Sequence, residues 1–289
     1  METASTNRIR RSLILTHEEI AFLLWFLHIP ALVGMGKNLL DGNNNERGSI
    51  ILAAAERGLK TRGLLVTNQN APATLDPDLQ ELIRVCAAPD LSIQIVRMLP
   101  GRPDQCFVFH MSPHLFIEHA MEEFGLHRFT LYPTQESWTC RARCLLTMNS
   151  HTATVAPLML KIPKPLFDQS LKTAANLRSR PTPDAIQTVQ NSLSPTGVQD
   201  TIGFANCLIR SASICSVMVV RPDSDGRRVA TDRFDVYEGT VEPGALWLGR
   251  IHGTDIDVQI SLQAIGSVEL DQVFSDLFRR RSESPYSPI

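Results

Sequence analysis

The chain is 289 residues long, 43% hydrophobic and 20% charged, a globular mixture that excludes wholesale disorder and has room for one large domain or two small ones. Its 28 Lys and Arg against 30 Asp and Glu leave a formal charge of −2. That near balance excludes the broad basic surface of a non-specific nucleic-acid binder.

Thr16-His17-Glu18-Glu19 reads as a capping box, with Leu15 and Ile20 at the hydrophobic-staple positions. It predicts a helix from His17 to about Ile29, stopped by Pro30. The apolar run Ile20 to Met35 follows Arg8, Arg10 and Arg11, as a secretory signal would. Glu18 and Glu19 stand where its apolar region would begin, no small-residue cleavage site follows, and His28 and Pro30 interrupt it. A buried amphipathic helix is expected there. Six cysteines (86, 106, 140, 144, 207 and 215) show no C-x-x-C spacing, and most lie in apolar runs. This usage fits free thiols in a reducing, cytoplasmic setting.

Asp41 to Asn45 is a Gly- and Asn-rich loop, after which Ser49 is expected to cap a second helix ending near Gly63. Asp76-Pro77 supplies a cap and a first-turn proline for a third, carrying Leu79, Leu82, Ile83 and Cys86 on one stripe. The period then changes. Strands are expected over Leu91–Leu99, Cys106–Met111, Leu115–His119 and Leu126–Tyr132, with a turn at Pro100–Asp104. Arg143–Met148 and Thr154–Leu160 are two further strand expectations.

The second half follows the same plan. Helices are expected over Lys164–Leu177, from Thr182-Pro183, and from Ser194-Pro195. Strands follow over Ser213–Val220, Arg228–Tyr237, Ala245–Ile251 and Thr254–Leu262, with a turn at Arg221–Gly226. A last amphipathic helix spans Val268 to about Arg281, with Glu269 and Asp271 in its first turn. Strands joined by tight turns mark an α+β fold with antiparallel meanders. The expected division is a first half over 13–162, a second over 163–281 in pseudo-twofold duplication, and a disordered tail over 282–289.

Candidate chemistry is sparse. His110, His114, Glu118, His119 and His127 form a zinc-like inventory, but Pro113 breaks any helix that would put 110, 114 and 118 on one face. Sheet histidines are the plainer reading. Gly34-Met35-Gly36-Lys37-Asn38 lacks the full phosphate-loop pattern and follows a helix. Asp255 and Asp257, near His252, lie on the polar face of an alternating strand, where solvation accounts for them. Arg57, Lys60 and Arg62 make residues 17–63 a possible winged-helix DNA-binding segment, although Glu56 sits among them. No catalytic set, cofactor motif or metal-ligand spacing emerges, and an enzyme is not expected.

Several stretches resemble a known family. Leu15-Thr16-His17-Glu18-Glu19 with its apolar helix, Glu56-Arg57-Gly58-Leu59-Lys60-Thr61-Arg62-Gly63-Leu64-Leu65, and Leu75-Asp76-Pro77-Asp78-Leu79 with Val85 to Leu91 look like the opening of EspG-type chaperones of type VII (ESX) secretion. Trp247–Ile251, Asp255–Leu262 and the last helix look like its end. The resemblance covers most of 13–132 and 200–281, and leaves 133–199 unmatched. It implies a cytoplasmic, non-enzymatic α+β protein that binds the apolar tip of a helical PE/PPE-like substrate and keeps it soluble until export. It carries over no binding residue.

Overall fold

A computed structural model describes residues 12–35, 46–67, 72–147, 158–194, 201–223, 225–240, 246–253 and 258–279. In chain order the first elements are β1 (Ser12–Thr16), α1 (His17–Leu27), α2 (Glu46–Thr61), β2 (Leu65–Val66), β3 (Thr74–Leu75) and α3 (Pro77–Ala87). β4 (Leu91–Met98), β5 (Gln105–Met111), β6 (Phe116–Met121), β7 (Leu126–Tyr132) and α4 (Gln135–Leu146) follow. Next come β8 (Met159–Pro163), α5 (Lys164–Leu177), α6 (Pro183–Leu193) and α7 (Ile202–Ile209). The chain continues through β9 (Ser211–Pro222), β10 (Arg228–Gly239), β11 (Leu246–His252), β12 (Gln259–Ala264) and α8 (Ser267–Arg279). Among the described residues the fold is α+β, with ten strands in a large antiparallel sheet and β2–β3 paired separately.

The order of elements repeats. A short strand is followed by three helices, then by a four-strand meander whose last strand returns to the first. In the first pass β7 pairs with β1, setting Leu126 opposite Thr16 and Thr130 opposite Ser12. In the second β12 pairs with β8, setting Gln259 opposite Pro163 and Leu262 opposite Leu160. Helix α4 closes the first pass and α8 the second. β1 is not among the expected strands, and the strand before α5 is Met159–Pro163, against the expected Thr154–Leu160. Residues 154–157 lie outside the described set.

By proximity the chain forms two compact units. One is drawn from Met1–Gln94, Gln105–Trp138 and Val219–Thr231, the other from Ile95–Asp104, Thr139–Met218 and Asp232–Ile289. In the first unit the strand order is β1-β7-β6-β5, followed by Leu91–Gln94 of β4. Its core packs Ile20, Leu23 and Leu24 of α1 and the predicted α3 stripe Leu79, Leu82, Ile83 and Cys86 against Ile117 and Phe129 of the sheet. The capping box forms as predicted: Thr16 Oγ1 accepts from the Glu19 amide at 3.2 Å, and Glu19 Oε2 accepts from the Thr16 amide at 2.9 Å. Helix α1 ends two residues earlier than expected, because His28 turns into the left-handed region (φ 55°) and closes the helix before Pro30. Asp76 caps α3 as read, accepting from the Leu79 amide at 3.0 Å.

In the second unit the order runs from Ser211–Met218 of β9 through Asp232–Gly239 of β10 to β11, β12 and β8. Phe167, Phe204, Tyr237 and Trp247 anchor its core. Phe204 meets Tyr237 and Trp247 edge-on, each with ring centroids 5.3 Å apart. Helices α5 and α6 run as expected. The third does not start at Ser194-Pro195: Ser194 closes α6, and α7 begins at Ile202. Where a strand over Arg143–Met148 was expected, Arg143 to Leu146 are instead the last turn of α4, and Met148 lies outside the described residues. Trp138, Ala142, Leu145 and Leu146 fall on one helical stripe and are all buried. The tail over 282–289 lies outside the described residues.

Candidate functional site

The histidines come together in the first unit as an array, without the spacing a metal requires. His17 is the first residue of α1, and the pairing of β1 with β7 brings it beside His127. His17 Nδ1 lies 3.2 Å from His127 Nε2, and His127 Nδ1 lies 2.9 Å from His119 Nε2. His119 stacks on Phe129 with centroids 4.4 Å apart and on His110 at 6.2 Å. His110 Nδ1 in turn meets Ser92 Oγ at 2.9 Å. The array therefore runs from exposed His17 to fully buried His110.

Burial dominates its electrostatics, because desolvation disfavours the imidazolium. It lowers the His110 pKa to about 3, with Arg228 adding repulsion, and the His127 pKa to about 4, with His17 adding to it. His119 is driven well below its usual value by burial and by both neighbouring imidazoles. His110, His119 and His127 are therefore held neutral at physiological pH. Two of its buried nitrogens, His110 Nε2 and His119 Nδ1, have no hydrogen-bond partner.

The other members of the zinc-like inventory lie elsewhere. Glu118 is on the opposite face of β6 from His119, and accepts from the Tyr132 hydroxyl at 2.5 Å. His114 sits exposed in the turn before β6, not on a strand shared with Glu118. Among the described residues no cluster of three His, Cys, Asp or Glu can hold a metal ion. His17 escaped the sequence reading, since only the β1–β7 register brings it to the array.

The basic end of α2 is largely engaged. Arg62 grips Glu19 and also donates to the Ile14 carbonyl at 2.7 Å, while Lys60 pairs with Glu56 at 2.7 Å. Gly34 turns with φ 84° against Val108, and Gly36 to Asn38 lie outside the described residues. So do Asp255 and Asp257; His252 meets Ser261 Oγ at 2.7 Å. Cys86, Cys207 and Cys215 are buried free thiols, and burial pushes the pKa of Cys215 up to about 12. Thiolate chemistry is thereby suppressed at Cys215.

Several large apolar side chains are exposed. Trp25 on α1 is 56% exposed, and Phe124 at the turn between β6 and β7 is 95% exposed. Ile50 in the first unit, and Met159, Ile202 and Val268 in the second, are exposed as well. Among the described residues no helix is long and apolar enough to cross a membrane.

No protein-family model matches the chain, and no curated protein matches its sequence. Its fold is EspG-like. The chain is similar to the solved structure of the Mycobacterium tuberculosis type VII secretion system chaperone EspG5 in complex with a PE25-PPE41 dimer, with a TM-score of 0.58 and 11% identity over 91% of this chain and 93% of that one. At that identity the likeness is one of fold.

Proposed function

We propose that this chain is a non-enzymatic chaperone that binds a helical PE/PPE-like secretion substrate in the cytoplasm and keeps it soluble for type VII export. The observation carrying this reading is the extent of the fold likeness, 91% of this chain and 93% of the EspG5 chain. A shared supersecondary motif would cover far less. The EspG5 structure also contains a PE–PPE dimer, which suggests the client class. The physical need is simple: a helical hairpin with an apolar tip self-associates, and covering that tip removes the patch that drives aggregation. The repeated element order supports two duplicated halves, as expected over 13–162 and 163–281, but counts β8 (Met159–Pro163) into the second. The reading calls for no cofactor and no nucleic acid.

Co-expression with PE/PPE pairs from the same genome tests it. At least one pair that aggregates alone should become soluble and co-purify with the chain. If every pair behaves the same with and without the chain, the reading fails.

A further inference from the structure

Arg178 directly follows α5 and Arg210 directly follows α7, places where a cation complements the helix dipole. Arg178 Nε donates to the carbonyl of Leu208 at 3.0 Å, within the last turn of α7. Both arginines also border one open cleft of about 520 Å³ in the second unit. Pro100, Pro181 and Ile209 form its apolar walls, and Ser179 and Thr240 add hydroxyls. Helix dipoles account for one cation at each helix end. They do not account for two guanidinium groups on one cleft whose lining holds no carboxylate. Nor do they account for Arg210 Nε, a buried donor without an acceptor, an arrangement that costs stability unless something completes it.

We propose that this cleft binds the carboxylate of an acidic residue in a bound polypeptide. The polypeptide source rests on the chaperone reading; the carboxylate site does not. A guanidinium presents a planar fork of donors that matches a carboxylate. The walls of Pro100, Pro181 and Ile209 suit the methylene stem of a Glu side chain better than they suit a fully hydrated phosphate. Burial also lowers the pKa of Arg178, so an incoming anion meets a cation already partly stripped of water.

The test is a titration of the nitrogen-15-labelled chain, read at the Nε–Hε resonances of Arg178 and Arg210. The probes are acetyl-Ala-Glu-Ala-amide, the same peptide with Gln, butyrate and inorganic phosphate. The Glu peptide should shift both resonances saturably, with a dissociation constant on the order of millimolar, and the Gln peptide should leave them in place. Arg210→Gln should weaken the Glu peptide about tenfold at Arg178, and Arg210→Lys, which keeps the charge but loses the fork, less than that. An absent or unsaturable response, or an equal response to the Gln peptide, overturns the site. Tighter binding of phosphate than of the Glu peptide overturns the ligand class. Butyrate binding as tightly as the peptide overturns the polypeptide source. If Arg210→Gln does not fold, the comparison of Glu and Gln peptides on the unmodified chain still decides. None of these outcomes depends on whether a PE/PPE pair co-purifies.

Discussion

Arg62 holds both carboxylate oxygens of Glu19 through one nitrogen, with Nη1 at 2.9 and 3.1 Å, while Nη2 donates to the Ile14 carbonyl. Glu19 is only 5% exposed and also caps the Thr16 amide. One side chain thus ties the end of α2 to β1 and to the start of α1. Gly58 leaves room for this, since a Cβ there would stand 3.1 Å from Glu19 Oε1. Arg62→Met strands a buried carboxylate and should cost about 2–3 kcal/mol, whereas Glu19→Gln keeps a cap acceptor and should cost about 1 kcal/mol. Urea unfolding measures both, and equal costs would contradict the geometry.

The histidine array makes stability fall in mild acid. In the unfolded chain each imidazole takes a proton near pH 6.5, while folded His127 refuses it until about 4 and folded His110 until about 3. Between those values the unfolded state binds more protons, so stability is full above about 6.5 and declines as pH drops through the window. Each group contributes a slope of about 1.4 kcal/mol per pH unit. Urea midpoints should therefore drop between pH 7 and 5, ahead of most carboxylate titration. His119→Phe, stacked on Phe129, should remove one proton from that slope. A flat profile over this range would contradict the array.

Two glycines share a positive φ but differ in surroundings. A Cβ at Gly34 (φ 84°) would lie 2.6 Å from Val108 Cγ2, whereas one at Gly63 (φ 68°) would meet nothing within 4 Å. Gly34→Ala should cost about 3 kcal/mol, from strain plus a clash against the sheet, and Gly63→Ala about 1 kcal/mol from strain alone. Thermal or urea unfolding of the two variants separates these terms.

Phe124 adopts φ 61° and ψ 26° while almost wholly exposed. No packing repays that conformation, which suits glycine better than a side chain bearing a Cβ. Phe124→Gly should therefore hold or raise stability, by about 0.5–1 kcal/mol. A loss of stability at this site would show that the ring packs against its own chain.

Much of the fold was legible because local chemistry agreed with tertiary placement. The capping box at Thr16 and Glu19, the Asp76-Pro77 start of α3 and the Thr182-Pro183 start of α6 are signals complete within four residues, and all three form. Helix α4 was missed because Leu145-Leu146 reads as a short apolar run, while its periodic partners Trp138 and Ala142 lie outside that window. Trp138 also fixes α4 through its indole N–H, which donates to the Ile117 carbonyl at 3.1 Å, a contact no spacing announces. Strand β1 abuts the capping box, so its Leu15 and Thr16 read as the approach to a helix. The histidine inventory was visible as residue types, yet His17, His110, His119 and His127 are joined only by strand register. Arg178 and Arg210 drew no attention, since each is an ordinary residue at a helix end and only the fold puts both on one cleft.

The most direct measurement of the central claim is light scattering during size-exclusion chromatography of the purified chain mixed with a purified PE/PPE heterodimer from the same genome. The account predicts a single new peak whose mass is the sum of one copy of each polypeptide. Elution of the chain and the heterodimer at their separate masses, across every cognate pair, would contradict it.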